Sequence, residues 1–303
     1  MPPIHECLYW LLSMSLTGTL AGSVVWLAGR WKPLPRRVAH ALWSIPLLRL
    51  WLPFGPASPA SLLHLLPESA YTPVPVSNDP GLLMTNLVQQ ATTYAPLTYR
   101  HARLQAVFTA AGWMWLAGLL MLLGMLLLAW RSNRRDAADV QPVSGNLYRS
   151  DRIRSPAVYG MIRPRILIPA DMAERDLPPI LAHENAHIRR MDNLWRLLAL
   201  LTACLHWFNP AVWLMLRTFL RETELACDES AVSRMDEPAR RAYAHALVNA
   251  AVARNALVSP FGGSPLRSRI AAICSFRRLT AGSLAAFLAL AAALAWALLT
   301  NPA

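Results

Sequence analysis

From Ala106 to Trp130 the chain runs for about twenty-five residues without a charged side chain, long enough for an α-helix to cross the roughly 30 Å hydrocarbon core of a bilayer. Arg131, Arg134 and Arg135 follow at once, and basic residues at the end of a span mark the cytoplasmic side. A chain with such a run cannot be wholly a water-soluble globule, and the composition agrees: 55% hydrophobic and 15% charged residues. The net charge of +12 suggests nucleic acid, but the arginines cluster at the ends of apolar runs and form no basic stripe with aromatics. Direct nucleic-acid binding is therefore not expected.

Three further stretches read as spans. Leu8 to Ala28 is apolar with small polar interruptions; Glu6 precedes it, Arg30 and Lys32 follow it, and a cleavable leader would have the opposite charge bias. The amino terminus then lies outside and the loop bearing Arg30, Lys32, Arg36 and Arg37 inside. Val38 to Phe54 is apolar on average but holds His40, Pro46 and Arg49, so Arg49 must snorkel or find a partner within the bundle. Leu279 to Leu299 follows Arg277 and Arg278 and forms the last span. Residues 55–104 are Pro-rich and read as an extracytoplasmic connecting loop.

Residues 131–278 hold nearly all the acidic side chains and read as a cytoplasmic domain. Val158 to Ile168, broken by Gly160 and Pro164, reads as a strand pair. Within LAHENAH, His183, Glu184 and His187 spell His-Glu-x-x-His. On a helix, residues four apart share a face, so both imidazoles can reach one Zn²⁺ with Glu184 beside it as general base. Pro178 and Pro179 suit the start of that helix, and Ile180, Leu181 and Ile188 give it an apolar stripe. On the order of one random chain in two hundred of this composition carries the pattern, so it needs support. RETELACDE supplies that support, placing Glu224 and Asp228 one helical turn apart. Two His and a Glu make an open catalytic site, and Asp228 suits the task of accepting the other ring N–H of a ligand histidine. Cys7, Cys204, Cys227 and Cys274 show no paired spacing and read as small hydrophobes.

Between the two motifs, Leu194 to Phe208 and Ala211 to Leu220 are apolar but each too short to span, and Asn209-Pro210 separates them. A membrane-embedded pair is expected over 194–220, with Trp195, Trp207 and Trp213 as interfacial anchors. Core helices of the soluble domain are the competing interpretation. His206 reads as a buried structural histidine. Arg240 to Arg254 reads as a helix, on which Tyr243 or His245 could support an oxyanion; each equally suits packing or surface.

HENAH, the apolar run ending in WFNPAVW, and ELACDE together resemble the BlaR/MecR-type family of bacterial integral-membrane zinc metallopeptidases. The separation 224 − 187 = 37 residues is that family's, and SPAVYGMIRPRILIP (Ser155 to Pro169) resembles its strand-rich lead-in. The resemblance implies a mainly α membrane protein of about four transmembrane helices. It implies a cytoplasmic α+β, zincin-like (gluzincin) peptidase domain between spans three and four. It implies peptide hydrolysis with Zn²⁺ on His183, His187 and Glu224 and with Glu184 as base. It also implies a cytoplasmic DNA-binding repressor as the protein substrate, self-cleavage sought in Ser259 to Ser264, and a bacterial inner-membrane location; a homodimer stays open. Zinc peptidases hold an extended substrate against an edge strand, for which Arg165, Ile166, Leu167 and Ile168 are the expected segment. The last span ends almost at the carboxyl terminus, where antibiotic-sensing members continue into a penicillin-binding sensor domain. Covalent β-lactam sensing is therefore not carried over, and the activating signal is open. A housekeeping membrane zinc endopeptidase would share the same ligands. A non-proteolytic, zinc-stabilised transducer would not need Glu184.

Overall fold

The computed structural model describes residues 4–31, 33–52, 56, 58–62, 102–136, 139–153, 155–253, 266–276 and 280–300. Ser259 to Ser264 and most of the 55–104 loop lie outside these residues. Ten helices and four strands are described in the order α1 (Ile4–Gly29), α2 (Arg36–Leu42), α3 (Ser44–Trp51), α4 (Ala102–Asp136), β1 (Gln141–Ser144), β2 (Leu147–Ser150), β3 (Ala157–Tyr159), β4 (Arg165–Pro169), α5 (Leu177–Arg190), α6 (Asp192–Leu205), α7 (Pro210–Val232), α8 (Glu237–Ala253), α9 (Leu266–Cys274) and α10 (Ala281–Leu299). The described residues are mainly helical with one small sheet.

Among the described residues, α1, α4 and α10 are long and apolar enough to cross a membrane. The apolar window of α1 is half buried, whereas those of α4 and α10 are 6% buried. Helices apolar all round and left uncovered by protein need lipid around them. The stretch from Val38 is not one long helix: it divides at Trp43 into α2 and α3, both short. Pro46 falls in the first turn of α3, where its missing N–H removes no intrahelical bond. Arg49 is only 2% exposed and donates through Nη1 to the Leu299 carbonyl at 3.4 Å, so it is accommodated inside the bundle and does not snorkel.

The hairpin α6–α7 packs along the length of the spans and not at their ends. At its turn, His206 meets Ser15 Oγ (2.7 Å) and the Leu50 carbonyl (2.9 Å), and Asn209 donates to Thr19 Oγ1 (2.9 Å). Asn209 also accepts from the Ala211 N–H, and Pro210 takes the first helical position, which is why the chain turns back here. The tryptophans are half-buried against protein. Trp195 and Trp213 pack on the bundle core, and Trp207 lies on Gly118 and donates to the Trp115 carbonyl at 3.2 Å. Gly18 and Gly22 let Leu50 and Met215 approach the α1 backbone, a space that any side chain would fill.

The sheet has the order β1-β2-β4-β3. β3 and β4 pair antiparallel, with Val158 opposite Ile166, and Gly160 makes their connection at φ +88°. β4 also pairs parallel with β2, Leu147 opposite Ile166. Arg165 to Ile168 therefore cannot be the substrate-binding edge: both sides of that backbone are taken. Sequence periodicity reveals a strand but not its neighbours. The edges are β1 and β3, and β3 is the one that lies on α5. Leu147, Ile166 and Ile168 form a core against Leu177, Leu181 and Ile188, so the apolar stripe of α5 is what seats it on the sheet.

Candidate metal centre

His183 and His187 project from one face of α5, and their Nε2 atoms face each other at 3.2 Å. Two nitrogens bound about 2.0–2.1 Å from one tetrahedral ion would stand about 3.3 Å apart, so the pair is already set at a chelating distance. Each ring is held from behind by an aspartate. His187 Nδ1 donates to Asp192 Oδ2 at 2.6 Å, and His183 Nδ1 lies 3.1 Å from Asp228 Oδ1. Carboxylates accept only, so the ring protons belong on Nδ1 and the Nε2 lone pairs are turned into the site.

The opposing wall is α7, whose acidic residues divide by helical period. Glu222 and Glu229 face α2: Glu229 Oε2 accepts from the Arg36 N–H at 2.5 Å, Glu229 Oε1 pairs with Arg37 Nε at 2.9 Å, and Glu222 lies 3.5 Å from Arg36 Nη1. Glu224 and Asp228 face α5. The Glu224 carboxylate lies 3.6 Å from His183 Nε2 and 3.8 Å from His187 Nε2, while Asp228 is 1% exposed. None of this is a solvated acidic face. Glu184 is buried on α5 next to His183.

Cys227, read from sequence as a small hydrophobe, sits among the imidazoles. Its sulfur and one ring nitrogen from each of His183 and His187 lie within 4.8 Å of one another, a buried group able to hold a metal ion. The thiol also donates to the His183 backbone carbonyl at 3.2 Å, tying α7 to α5.

The electrostatics favour positive charge between the two helices. Burial opposes a charged ring at His183, yet Cys227, Tyr243 and Asp228 hold its pKa well above the ordinary value. Burial likewise works against His187, but Cys227 and the bond to Asp192 raise it to about 9. Burial would raise Glu224, but the histidines, Arg196 and Arg269 keep it well below the carboxylate range. Against the same burial, Arg269 and His183 hold Asp228 at about 2. A divalent cation between the Nε2 atoms answers the demand that protons otherwise meet. The donor set, its spacing and its field fit a metal.

Neither expected oxyanion donor reaches this face. Tyr243 is buried behind His183: its hydroxyl donates to Asp228 Oδ1 at 2.7 Å and lies 2.8 Å from His183 Nδ1. His245, two residues on, is exposed on the other side of α8. Residues two apart on a helix point roughly 200° apart, so the burial of Tyr243 excludes His245 from the site.

Three contributors escaped the sequence reading: Asp192, Arg196 and Arg269. Arg196 donates to Glu224 Oε1 at 2.5 Å from the first turns of α6. Asp192 reaches His187 because Met191, between α5 and α6, adopts a left-handed conformation at φ 53° and folds the chain back within one residue. A non-glycine residue there costs about 1 kcal/mol or more. Met191→Gly is expected to preserve the site and raise stability by up to about 1 kcal/mol, whereas Met191→Ile should lower it and weaken metal binding. Thermal unfolding and metal titration of the two variants check this; a less stable glycine variant would contradict it.

The BlaR1 peptidase M56 family model matches residues 9–273, and so covers most of α1 and all of α4, the sheet and both metal-site helices. The chain belongs to the BlaR1 peptidase M56 family. Among curated proteins it is 31% identical over 105 residues to "Regulatory protein BlaR1" of Bacillus licheniformis, a stretch covering 34% of this chain and 18% of that protein. It is 21% identical over 110 residues to "Methicillin resistance mecR1 protein" of Staphylococcus aureus, covering 35% and 19%. The same values hold for the protein of that name from Staphylococcus epidermidis. The aligned part of the chain spans under a fifth of the length of each of these relatives. Membership makes the chain a membrane peptidase-family protein, and its buried His183-His187-Cys227 group could hold a metal ion.

Proposed function

We propose that this M56 protein is a membrane-embedded zinc endopeptidase that cleaves a cytoplasmic protein as a signalling step. The observation that carries the reading is the pair of Nε2 atoms 3.2 Å apart, each ring backed by its own aspartate, with the Glu224 carboxylate on the same side and Glu184 adjoining. His183, His187 and Glu224 would hold zinc, which when bound would polarise the scissile carbonyl and make a water acidic enough to give up its proton near neutral pH. Glu184 takes the proton of the attacking water on its carboxylate and returns it to the leaving amine. Asp192 and Asp228 fix the ring protons on Nδ1. The substrate backbone lies extended along β3, the free edge beside α5.

The arginines after α4 and before α10 favour a cytoplasmic metal centre in the bacterial inner membrane, with the amino terminus outside. That orientation counts α2–α3 as a fourth crossing, and the side-by-side packing of α6–α7 with the spans supports a membrane-embedded hairpin. The names of the relatives, a regulatory protein and a resistance protein, make a DNA-binding transcriptional repressor the substrate to try first. Purified protein in detergent should bind one zinc and cut a winged-helix repressor encoded by a neighbouring gene, and should also cut itself. Chelation should stop both reactions and added zinc restore them. A zinc-loaded protein that cleaves no candidate would defeat the reading.

A further inference from the structure

Arg269 looks in the sequence like one more cytoplasmic anchor of the last span. In the structure it points the other way. Arg131, Arg134 and Arg135 are exposed, whereas the Arg269 side chain is 14% exposed and enters the metal centre from α9. Its Nε donates to Asp228 Oδ2 and its Nη2 to Asp228 Oδ1, both at 2.7 Å, a two-pronged grip that only a guanidinium can make. Nη1 is 3.4 Å from Glu224 Oε2, and Nη2 is 3.3 Å from His183 Nε2. One side chain thus touches residues of both metal-site helices. The helix that carries it is itself anchored, since Ile273 packs with Ala231, Val232 and Tyr243.

We propose that Arg269 is a positioning residue of the metal centre: its two-pronged grip orients Asp228 so that Asp228 and Tyr243 together fix the His183 ring. Asp228 Oδ1 has three neighbours, namely Arg269, the Tyr243 hydroxyl and His183 Nδ1, and Oδ2 has Arg269. Removing the guanidinium leaves a carboxylate that is 1% exposed with donors on one oxygen only. Such a group lowers its cost by turning to find other donors, and that rotation frees the His183 ring. The effect therefore reaches the metal chiefly through Asp228 and His183, the 3.4 Å contact with Glu224 being the longer one, and not through contact with substrate. This inference rests on the metallopeptidase reading for the identity of the ion.

The test is zinc affinity of the full-length protein in detergent, by competition with a chromophoric chelator, for the parent, Arg269→Gln, Arg269→Lys, Asp228→Asn and the double variant Arg269→Gln/Asp228→Asn. Loss of an outer partner of a ligand histidine weakens metal binding by about 10–100-fold, and that loss is expected for Arg269→Gln. Arg269→Lys, which keeps the charge but not the fork, should fall between, and it decides the matter if the glutamine variant does not fold. In the double variant the Arg269 substitution should add little to Asp228→Asn, because the two act through one bond pair. A residue that merely stabilised α9 would lower the melting temperature and weaken zinc equally with or without Asp228. That result, or parent-like affinity in both Arg269 variants, overturns the inference. A parent protein that binds no zinc overturns the metallopeptidase reading and this inference with it. A parent that binds zinc but cleaves nothing overturns only the peptidase reading, since the affinity comparison still decides Arg269.

Discussion

Glu184→Gln is expected to hold zinc as tightly as the parent and to lose peptide cleavage by roughly 10²–10⁴-fold, the worth of a well-placed general base. Glutamine matches glutamate in shape, so the buried position on α5 is filled and the neighbouring His183 keeps its rotamer. What disappears is the ability to accept a proton. The metal ligands, their aspartates and the arginines around Glu224 are untouched, so metal content should be unchanged. His183→Ala or His187→Ala should instead lose metal and turnover together, because each deletes a donor of a pair set 3.2 Å apart. Metal analysis beside single-turnover cleavage separates the two outcomes. A Glu184→Gln protein of undiminished activity would remove the base assignment and return Glu184 to the role of a buried packing residue.

What could be read in advance follows the range of the interactions. The α5 pattern is local: a four-residue spacing, prolines at the start and an apolar stripe place two imidazoles on one face and seat the helix on a sheet. The spans are legible for the same reason, since one apolar run carries its own evidence. Asp192 was hidden because a helix-face argument cannot reach five residues past His187. It arrives there through a left-handed turn at a methionine, where the usual sign of such a turn is glycine. An acidic residue two positions after the Arg189-Arg190 pair is the trace that could have raised it. Arg196 and Arg269 were hidden by the positive-inside pattern, which accounts for basic residues near spans so readily that none looks singular.

The larger misplacements are non-local. Strand β4 reads correctly as extended, but its parallel partner β2 lies in a segment with no strong alternation, and only that pairing moves the free edge to β3. Tyr243 and His245 were separable in principle, because one helix cannot present both to one site, but nothing in the sequence said which of them faces inward. Glu222, Glu224, Asp228 and Glu229 lie within eight residues of one another in the sequence; three dimensions divide them between the α2 arginines and the imidazoles.

Glu224→Ala is expected to abolish tight zinc binding and cleavage, while Cys227→Ser should keep both within a few-fold; the loss for Glu224 must exceed the 10–100-fold that an outer partner alone is worth. The two residues compete for the third ligand position, being three apart on α7 and both beside the histidines. Cys227 belongs to a compact His-His-Cys group, and thiolate is the stronger zinc ligand in general. Its hydrogen is, however, engaged by the His183 carbonyl, and the residue is fully buried, so its sulfur serves the α5–α7 contact. Glu224 lies on the side where the two Nε2 atoms converge, with one oxygen on Arg196 and the other near Arg269. Those cations keep it ionised and leave it poised to share charge with an ion. A carboxylate ligand also keeps the fourth position open to water, as hydrolysis requires. If Cys227→Ser lost zinc and Glu224→Ala retained it, the centre would be a His-His-Cys site, and the proposed ligand set would be wrong.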